Sequence, residues 1–291
     1  MRTIVACLAL LLCAATAFAQ PAPFEPPAGR VIFGWAETDL TLAPRPPVMI
    51  AFEAAAGTQQ VANFMRHYRE FASTHGFFIA QVGFDFRGME ADMATGMRDP
   101  DVLVLADSLR EVGRPVLLSI GDRFNGPGAT YEASAYIGAF RHAVDRIRQD
   151  HLDFAAVWDA AANGLSDPHY MKWYPGDDVA DWWGLDFASA ADFTRAETKT
   201  FVDAAAHHHK PILITVSLAG AKSDSAALKL SNATFDLVRS NPAIKAVSIS
   251  PTAHLSRWHK TSAYLKQQLS DPRFIDVNEA ASMFRPKQSE E

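Results

Sequence analysis

Cysteine is almost missing from this chain of 291 residues, and its placement excludes several kinds of site. The two cysteines are Cys7 and Cys13, both within the first 19 residues. Those residues have the pattern of a removable signal peptide. A mature chain without them would have no thiol for a disulfide, a zinc cluster or a nucleophile. We therefore expect a fold that is stabilised by its packed core alone.

Long apolar runs and an excess of positive charge are also missing. No stretch after residue 19 offers the roughly 20 apolar residues that a membrane-spanning helix needs. The formal net charge is −6, whereas nucleic-acid-binding domains carry a basic stripe. No G-x-G-x-x-G motif follows the first predicted strand, which disfavours a dinucleotide site. We therefore expect no membrane span and no nucleic-acid partner.

The first 29 residues predict export followed by a short tether. Arg2 gives a positive start, residues 4–15 form a short apolar core, and an A-x-A cleavage signal ends at Ala19. We predict a signal peptide at 1–19, cleaved after Ala19, and a protein that is secreted or periplasmic. Residues 20–29 are rich in proline, which is typical of an extended tether. The folded domain is then predicted at 30–291.

Short β-rich apolar runs alternate with helical patterns along the whole domain, which is typical of β-α units around a parallel sheet. Residues 58–75 and 134–150 show apolar stripes of helical period. Residues 159–181 show none, and predict a long irregular loop. We predict a single (β/α)8 TIM barrel, with an open doubly wound α/β sheet as the alternative. The predicted strands are 30–36, 48–52, 77–84, 115–120, 154–158, 182–187, 211–216 and 244–249.

Acidic, aromatic and amide side chains follow the predicted strands. In a TIM barrel the functional groups lie at the carboxyl ends of the strands, so these side chains would share one mouth. Aromatic faces stack on sugar rings, while carboxylates and amides bind sugar hydroxyls, so the mouth predicts a carbohydrate site. The residues at or near these ends are Trp35, Glu37, Glu53, Asp85, Asp122, Arg123, Asn125, Trp158, Asp159, Asp186, Ser217, His254 and Trp258.

The histidines do not form a pattern of metal ligands. His254 has no second histidine at metal-ligand spacing, and the three consecutive histidines at 207–209 lie at the end of a predicted helix. We expect no metal and no cofactor.

Several separated segments resemble glycoside hydrolase family 26, the β-mannanase type, and its relatives that act on β-linked glucans. They are RPVLLSIGDRFNGPG from 114, YIGAFRHAVDRIR from 136, FAAVWDA from 154 and YPGDDVADWWGLDFAS from 174. KPILITVS from 210 and the stretch 244–274 resemble the family's last two strands. The resemblance implies a retaining hydrolase with an acid/base glutamate after the fourth strand and a nucleophilic glutamate after the seventh.

Both positions that the resemblance makes catalytic hold other residues. The acid/base position, two before Asn125, is Arg123, and the nucleophile position, six after Lys210, is Val216. Arginine stays protonated and only donates hydrogen bonds, while valine has no nucleophilic atom. Retaining hydrolysis needs both carboxyls. We therefore expect a barrel that binds a polysaccharide or oligosaccharide and has weak or absent retaining activity.

Two alternatives stay open at this stage. The first is an active endo-β-glycosidase, on mannan, glucan or bacterial exopolysaccharide, that uses relocated aspartates such as Asp85 or Asp122. Because strand side chains alternate, Asp122 would point away from Arg123 unless the strand has already ended. The second is an accessory scaffold of exopolysaccharide or envelope assembly, which an exposed apolar patch would favour.

The predicted ligand site has Arg123 at its centre. Asn125, Trp158, Asp186 and Trp258 are predicted to line it. A guanidinium at this place could bind an acidic glycan that carries uronate or pyruvate groups. The competing interpretation is an internal salt bridge from Arg123 to Asp85, Asp122 or Asp159.

Overall fold

Eight parallel strands form a closed barrel in chain order, which confirms the predicted (β/α)8 fold. The computed structural model describes residues 20–126, 131–165 and 169–284, so the predicted signal peptide lies outside the described residues. Each predicted strand corresponds to one strand of the barrel. The strands are β1 (Ile32–Ala36), β2 (Met49–Ala55), β3 (Ile79–Asp85), β4 (Val116–Ile120), β5 (Phe154–Ala161), β6 (Trp182–Phe187), β7 (Ile212–Ser217) and β8 (Ile244–Ser250).

Helices surround the barrel, and two of them match the predicted stripes within one residue at each end. The described helices are α1 (Thr58–Thr74), α2 (Glu90–Ala94), α3 (Asp99–Val112), α4 (Ala133–Gln149), α5 (Ala196–His207), α6 (Asp224–Ser240), α7 (His259–Leu269) and α8 (Val277–Met283). The link after β5 holds only short 3-10 turns, Ala162–Gly164 and Tyr170–Trp173, in its described part. None of the described helices is long and apolar enough to cross a bilayer.

The alternation of side chains along each strand sorts the barrel into an outer and an inner core. Outward residues such as Phe33, Val82 and Leu118 pack against the helices. Inward residues at the amino ends of the strands, such as Ile32 and Trp182, fill the lower interior with apolar side chains.

Further up the barrel the inward positions become polar. Gln81 on β3, Ser119 on β4, Thr215 on β7 and Ser248 on β8 are inward residues above the apolar layer. Nearer the carboxyl ends, inward positions of β2, β5 and β6 carry the carboxyl groups of Glu53, Asp159 and Asp186. The barrel interior thus changes from apolar to polar towards the carboxyl ends of the strands, which is where the functional groups of a TIM barrel lie.

Residues 20–29, predicted as an extended tether, lie against the amino end of the barrel. Phe24 belongs to the lower interior cluster. The indole of Trp182 donates to the carbonyl of Pro23 at 2.8 Å, and Lys245 donates to the carbonyl of Pro26 at 3.2 Å. The segment therefore closes the bottom of the barrel.

Candidate functional site

The loop after β4 sets the geometry of the mouth. β4 ends at Ile120, and both Gly121 (φ 66°) and Arg123 (φ 51°) have left-handed backbone conformations. A left-handed arginine costs backbone free energy, and such strain concentrates at functional sites. Because the strand has ended, alternation no longer separates Asp122 from Arg123. A Cβ at Gly121 would lie 2.5 Å from the ring of Tyr136, so only glycine fits there.

Arg123 makes the internal ion pair that the sequence left as the competing interpretation. Its Nη2 lies 2.6 Å from Oδ2 of Asp122 and 3.8 Å from Oε2 of Glu53, and its Nε lies 3.7 Å from Oδ2 of Asp186. Burial lowers the pKa of Arg123, but the surrounding carboxylates, with Asp122 foremost, raise it by more. The guanidinium therefore stays charged at the centre of the mouth.

Asp122, Asp159 and Asp186 form a compact group in which single carboxylate oxygens all lie within 4.8 Å of one another. Such a group could hold a metal ion. Arg123, however, already places a cation against Asp122 and Asp186. The contact with Asp122 is close, but it leaves Oδ2 of Asp122 without a well-aligned hydrogen bond. The group is therefore an acidic cluster balanced by one guanidinium.

Burial raises the pKa values of two members of this cluster. Asp159 is only 4% exposed, and burial, followed by the charges of Asp186 and Asp122, raises its pKa well above the ordinary value. Burial and then Asp122 raise the pKa of Asp186 to about 7, against the lowering effect of Arg123 and of a hydrogen bond with Thr215. The cluster thus retains protons at neutral pH.

Glu53 lies at a predicted strand end but was not among the predicted ligand-binding residues. It is an inward residue of β2, and its Oε2 would lie 2.7 Å from a Cβ built on Gly83. Burial and then Asp122 raise the pKa of Glu53 to about 8. About 70% of its side-chain surface is accessible, so solvent screens part of this effect. Strand alternation could have found Glu53, because it is the charged member of the inward row of β2.

Asp85 differs from these acids. Burial alone would raise its pKa, but hydrogen bonds from Arg87 and from the Tyr131 hydroxyl, at 2.9 Å each, lower it below the ordinary value. Asp85 is therefore ionised at neutral pH and cannot supply a proton.

Two cavities of the mouth share Arg123 as a lining residue. One has a volume of about 330 Å³, and its lining includes Arg87, Asn163, Asp186 and Ser217 in addition to Arg123. The other has a volume of about 480 Å³, and its lining includes Glu53, Asn63, His67 and Asp85 in addition to Arg123. Each volume lies in the range of small-molecule sites.

Three other predicted residues lie away from these cavities. Trp158 is 0% exposed and stacks on Phe124, with ring centroids 4.9 Å apart, in the layer between barrel and helices. Val216 is 1% exposed and belongs to the same layer. Trp258 is buried in that layer beside His254. A ligand in the mouth could not reach the ring of Trp158.

Asn125 has a positioning role in this structure. Its amide donates to the carbonyl of Ala161 at 3.2 Å and accepts from the backbone N–H of Ala161 at 2.7 Å. This pair of hydrogen bonds fastens the loop after β4 to the end of β5, so Asn125 fixes the place of Arg123.

Comparison of the sequence with known proteins finds β-1,3-xylanases. No family model matches the sequence. A β-1,3-xylanase of a Vibrio species is 28% identical over 168 residues, which cover 57% of this chain and 35% of the xylanase. The matched region thus spans about a third of that enzyme's length.

Comparison of the structure finds family 26 enzymes. A GH26 β-mannanase from Bacteroides ovatus superposes with a TM-score of 0.65 at 14% identity, covering 90% of this chain and 95% of the mannanase. GH26C from a Muricauda species gives a TM-score of 0.67 at 14% identity, covering 88% and 89%. The protein is a glycoside-hydrolase-like barrel with the fold of family 26 enzymes.

Proposed function

We propose that this protein is an exported glycan-binding barrel whose retaining hydrolase activity is degenerate or absent. One observation carries the proposal: Arg123 occupies the mouth at the end of β4 and is ion-paired with Asp122 at 2.6 Å. A retaining mechanism needs a proton donor at this place, and a paired guanidinium cannot act as one.

The end of β7 supports the same conclusion. Val216 packs towards the helices, and the inward residues beside it are Thr215 and Ser217. Neither has a carboxyl group that could form a glycosyl ester. Loss of the general acid alone lowers a rate by about 10² to 10⁴, and loss of the nucleophile removes the double-displacement route.

We propose a neutral β-linked chain as the ligand. The similar proteins are named for β-1,3-xylan and β-mannan, which makes these two glycans the first to test. An acidic group would have to displace Asp122 from Arg123 before it could bind the guanidinium. Asn63 and His67 in one cavity, and Asn163 and Ser217 in the other, offer hydrogen bonds to sugar hydroxyls.

The alternative of an assembly scaffold gains no support from the surface. Among the described residues, the large apolar side chains that remain exposed are Met97, Val104 and Met283. Export remains part of the proposal, and amino-terminal sequencing of the exported protein would check cleavage after Ala19.

Calorimetry of the purified protein with β-1,3-xylan, mannan, mixed-linkage glucan and uronate-containing oligosaccharides tests the proposal. Ser217→Trp would fill the smaller cavity and should weaken glycan affinity at least tenfold. Ser240→Trp, at the exposed end of α6, is the matched control and should leave affinity unchanged. Absence of binding to every glycan, or hydrolysis with retained anomeric configuration, would contradict the proposal. Tighter binding of the uronate chains would replace the neutral ligand by an acidic one.

A further inference from the structure

We propose that Glu53 and Asp186 form a relocated pair of catalytic carboxyls, with Glu53 as general acid and Asp186 as general base of an inverting hydrolysis. The inference rests on the proposed function, because it requires a glycan in the mouth. It assigns the chemistry to β2 and β6 instead of to the strand ends that hold Arg123 and Val216.

The order of the strands places the two residues on opposite sides of the barrel. In a closed barrel of eight strands in chain order, β2 and β6 are four strands apart in either direction and therefore lie on opposite sides. Glu53 lines the larger cavity and Asp186 lines the smaller one, and the two cavities share Arg123 as a lining residue. A sugar chain that occupied both cavities would contact Arg123, with Glu53 lining one cavity and Asp186 the other.

The distances to Arg123 permit an inverting pair. Glu53 Oε2 lies 3.8 Å from Nη2 of Arg123, and Asp186 Oδ2 lies 3.7 Å from Nε of the same group. Those two nitrogens are roughly 2.3 Å apart, given C–N bonds of about 1.33 Å in a planar guanidinium. The two carboxyl oxygens are therefore no more than about 10 Å apart, an upper limit that includes the roughly 6.5 to 9.5 Å of inverting pairs and the roughly 5 to 5.5 Å of retaining pairs.

The other carboxyls of the mouth are already occupied. Asp85 is held by Arg87 and Tyr131. Asp122 is buried against Arg123, and Asp159 is buried below the open part of the mouth. Glu53 and Asp186 are the two that line the cavities without a short ion pair.

Asp186 is positioned by a chain of hydrogen bonds from the barrel interior. Gln81 Nε2 donates to Thr215 Oγ1 at 3.1 Å, and Thr215 in turn hydrogen-bonds Asp186, its neighbour across the β6–β7 pair. A general base that is oriented by a further group is typical of catalytic sites.

The barrel interior near the mouth also contains polar atoms suited to bind water. Oε1 of Gln81 and Oγ of Ser248 are buried without a hydrogen-bond partner among the described residues. Both side chains are more than nine-tenths buried, and Ser248 pairs in register with Thr215. Buried polar atoms are as a rule hydrogen-bonded to protein or to ordered water. These two atoms are therefore polar groups of the barrel interior near Thr215 that an ordered water could satisfy.

The proposed step balances in atoms and charge. Glu53 gives its proton to the glycosidic oxygen while the bond from that oxygen to the anomeric carbon breaks. Asp186 takes a proton from a water molecule, whose oxygen bonds to the anomeric carbon from the opposite face. The products are a free hydroxyl and a hemiacetal of inverted configuration. Proton exchange with solvent then restores both carboxyls.

The protonation of the mouth agrees with these roles. The pKa of Glu53 is raised to about 8 and that of Asp186 to about 7, in each case first by burial and then by Asp122. Arg123 opposes both shifts, and Asp85 and Asp186 add to the shift of Glu53. The rate should therefore fall at high pH, where Glu53 loses its proton, and at low pH, where Asp186 is protonated, with limbs that belong to the coupled cluster.

Proton NMR of β-1,3-xylo-oligosaccharide and manno-oligosaccharide digests tests the inference, because it reads the anomeric configuration of the first product. We expect slow hydrolysis with inversion, reduced at least 100-fold by Glu53→Gln and by Asp186→Asn while oligosaccharide affinity is kept. Glu70→Gln on α1 and Asp203→Asn on α5 are matched controls that should leave the rate unchanged.

The outcomes separate this inference from the glycan-binding proposal. Binding without any turnover, or turnover that survives both substitutions, would overturn the inference and leave glycan binding intact. Absence of binding would overturn both. A product of retained configuration would overturn the inference together with the proposed loss of retaining activity. Thermal unfolding of each variant shows whether a lower rate comes from the missing carboxyl group or from loss of the folded structure.

Discussion

At the amino end of the barrel, Phe24, Trp182 and Ile275 fill the interior with apolar side chains, whereas at the carboxyl end Asp159 and Asp186 surround the charge of Arg123. The same strands supply both ends. At the amino end, burial of apolar surface stabilises the fold by roughly 25 cal/mol per Å². At the carboxyl end, burial of carboxyls costs free energy and raises their pKa values.

This difference indicates which end is shaped by stability and which by function. An apolar interior could have continued to the mouth, since nothing in barrel packing requires acids there. Instead the mouth carries a strained arginine backbone, two raised acids and two adjoining cavities. Backbone strain and buried acids of this kind are typical of binding and catalytic sites. Substitutions at the amino end should therefore mainly lower stability, whereas substitutions at the carboxyl end should mainly change binding.

The largest expected effect is at the amino end. Trp182→Ala should lower the free energy of unfolding by about 3 to 5 kcal/mol, because it leaves a cavity and removes the hydrogen bond to Pro23. Glycan affinity, measured well below the unfolding temperature, should not change. Denaturant titration and calorimetry check both statements. A parallel loss of affinity would break the separation between the two ends.

An intermediate effect is expected at the turn that places Arg123. Gly121→Ala should cost about 2 to 3 kcal/mol, from a left-handed alanine and from its clash with Tyr136 and Phe86. Gly113→Ala is the matched control, because Gly113 is also left-handed (φ 67°) but has no atom nearer than 3.8 Å to its Cβ position. It should cost only about 1 kcal/mol. Equal losses in the two variants would contradict the proposed clash.

The smallest expected effect is a gain in stability at the mouth. The folded pKa of Asp159 is raised, so the stability linked to its proton is full below its unfolded pKa of about 3.9 and is lost as pH rises through the folded pKa. Asp159→Asn removes this loss. The variant should match the parent protein near pH 4 and exceed it on the order of 1 kcal/mol at pH 8.

Thermal unfolding from pH 4 to pH 8 measures that gain directly. A variant that is less stable than the parent at pH 8 would show that Asp159 is ionised and stabilised in the folded protein. Ser119→Ala, another inward residue of the mouth region, is a control that should not change the pH dependence.

Much of the fold was predictable because it depends on local patterns. All eight strands and the stripes of α1 and α4 follow from apolar periodicity. The central place of Arg123 followed from a motif resemblance. The predicted ligand site included Trp158, which is buried outside the barrel, and left out Glu53, which faces the mouth. Both errors arise because the direction of each side chain depends on which alternate set of residues faces the barrel axis. A one-residue change of that register exchanges inside and outside.

The sequence by itself determined the alternation of strands and helices and the lack of a carboxyl group at positions 123 and 216, whereas closure of the sheet into a barrel came from the structure. Only the tertiary structure decided that Glu53 and Asp186 both lie beside Arg123, that Asp122 pairs with Arg123, and that Trp158 is buried behind the barrel wall. The physical reason is that apolar periodicity reflects residues that are neighbours in the chain. Barrel closure, in contrast, brings together side chains from the distant strands β2, β4 and β6 and removes the water between them.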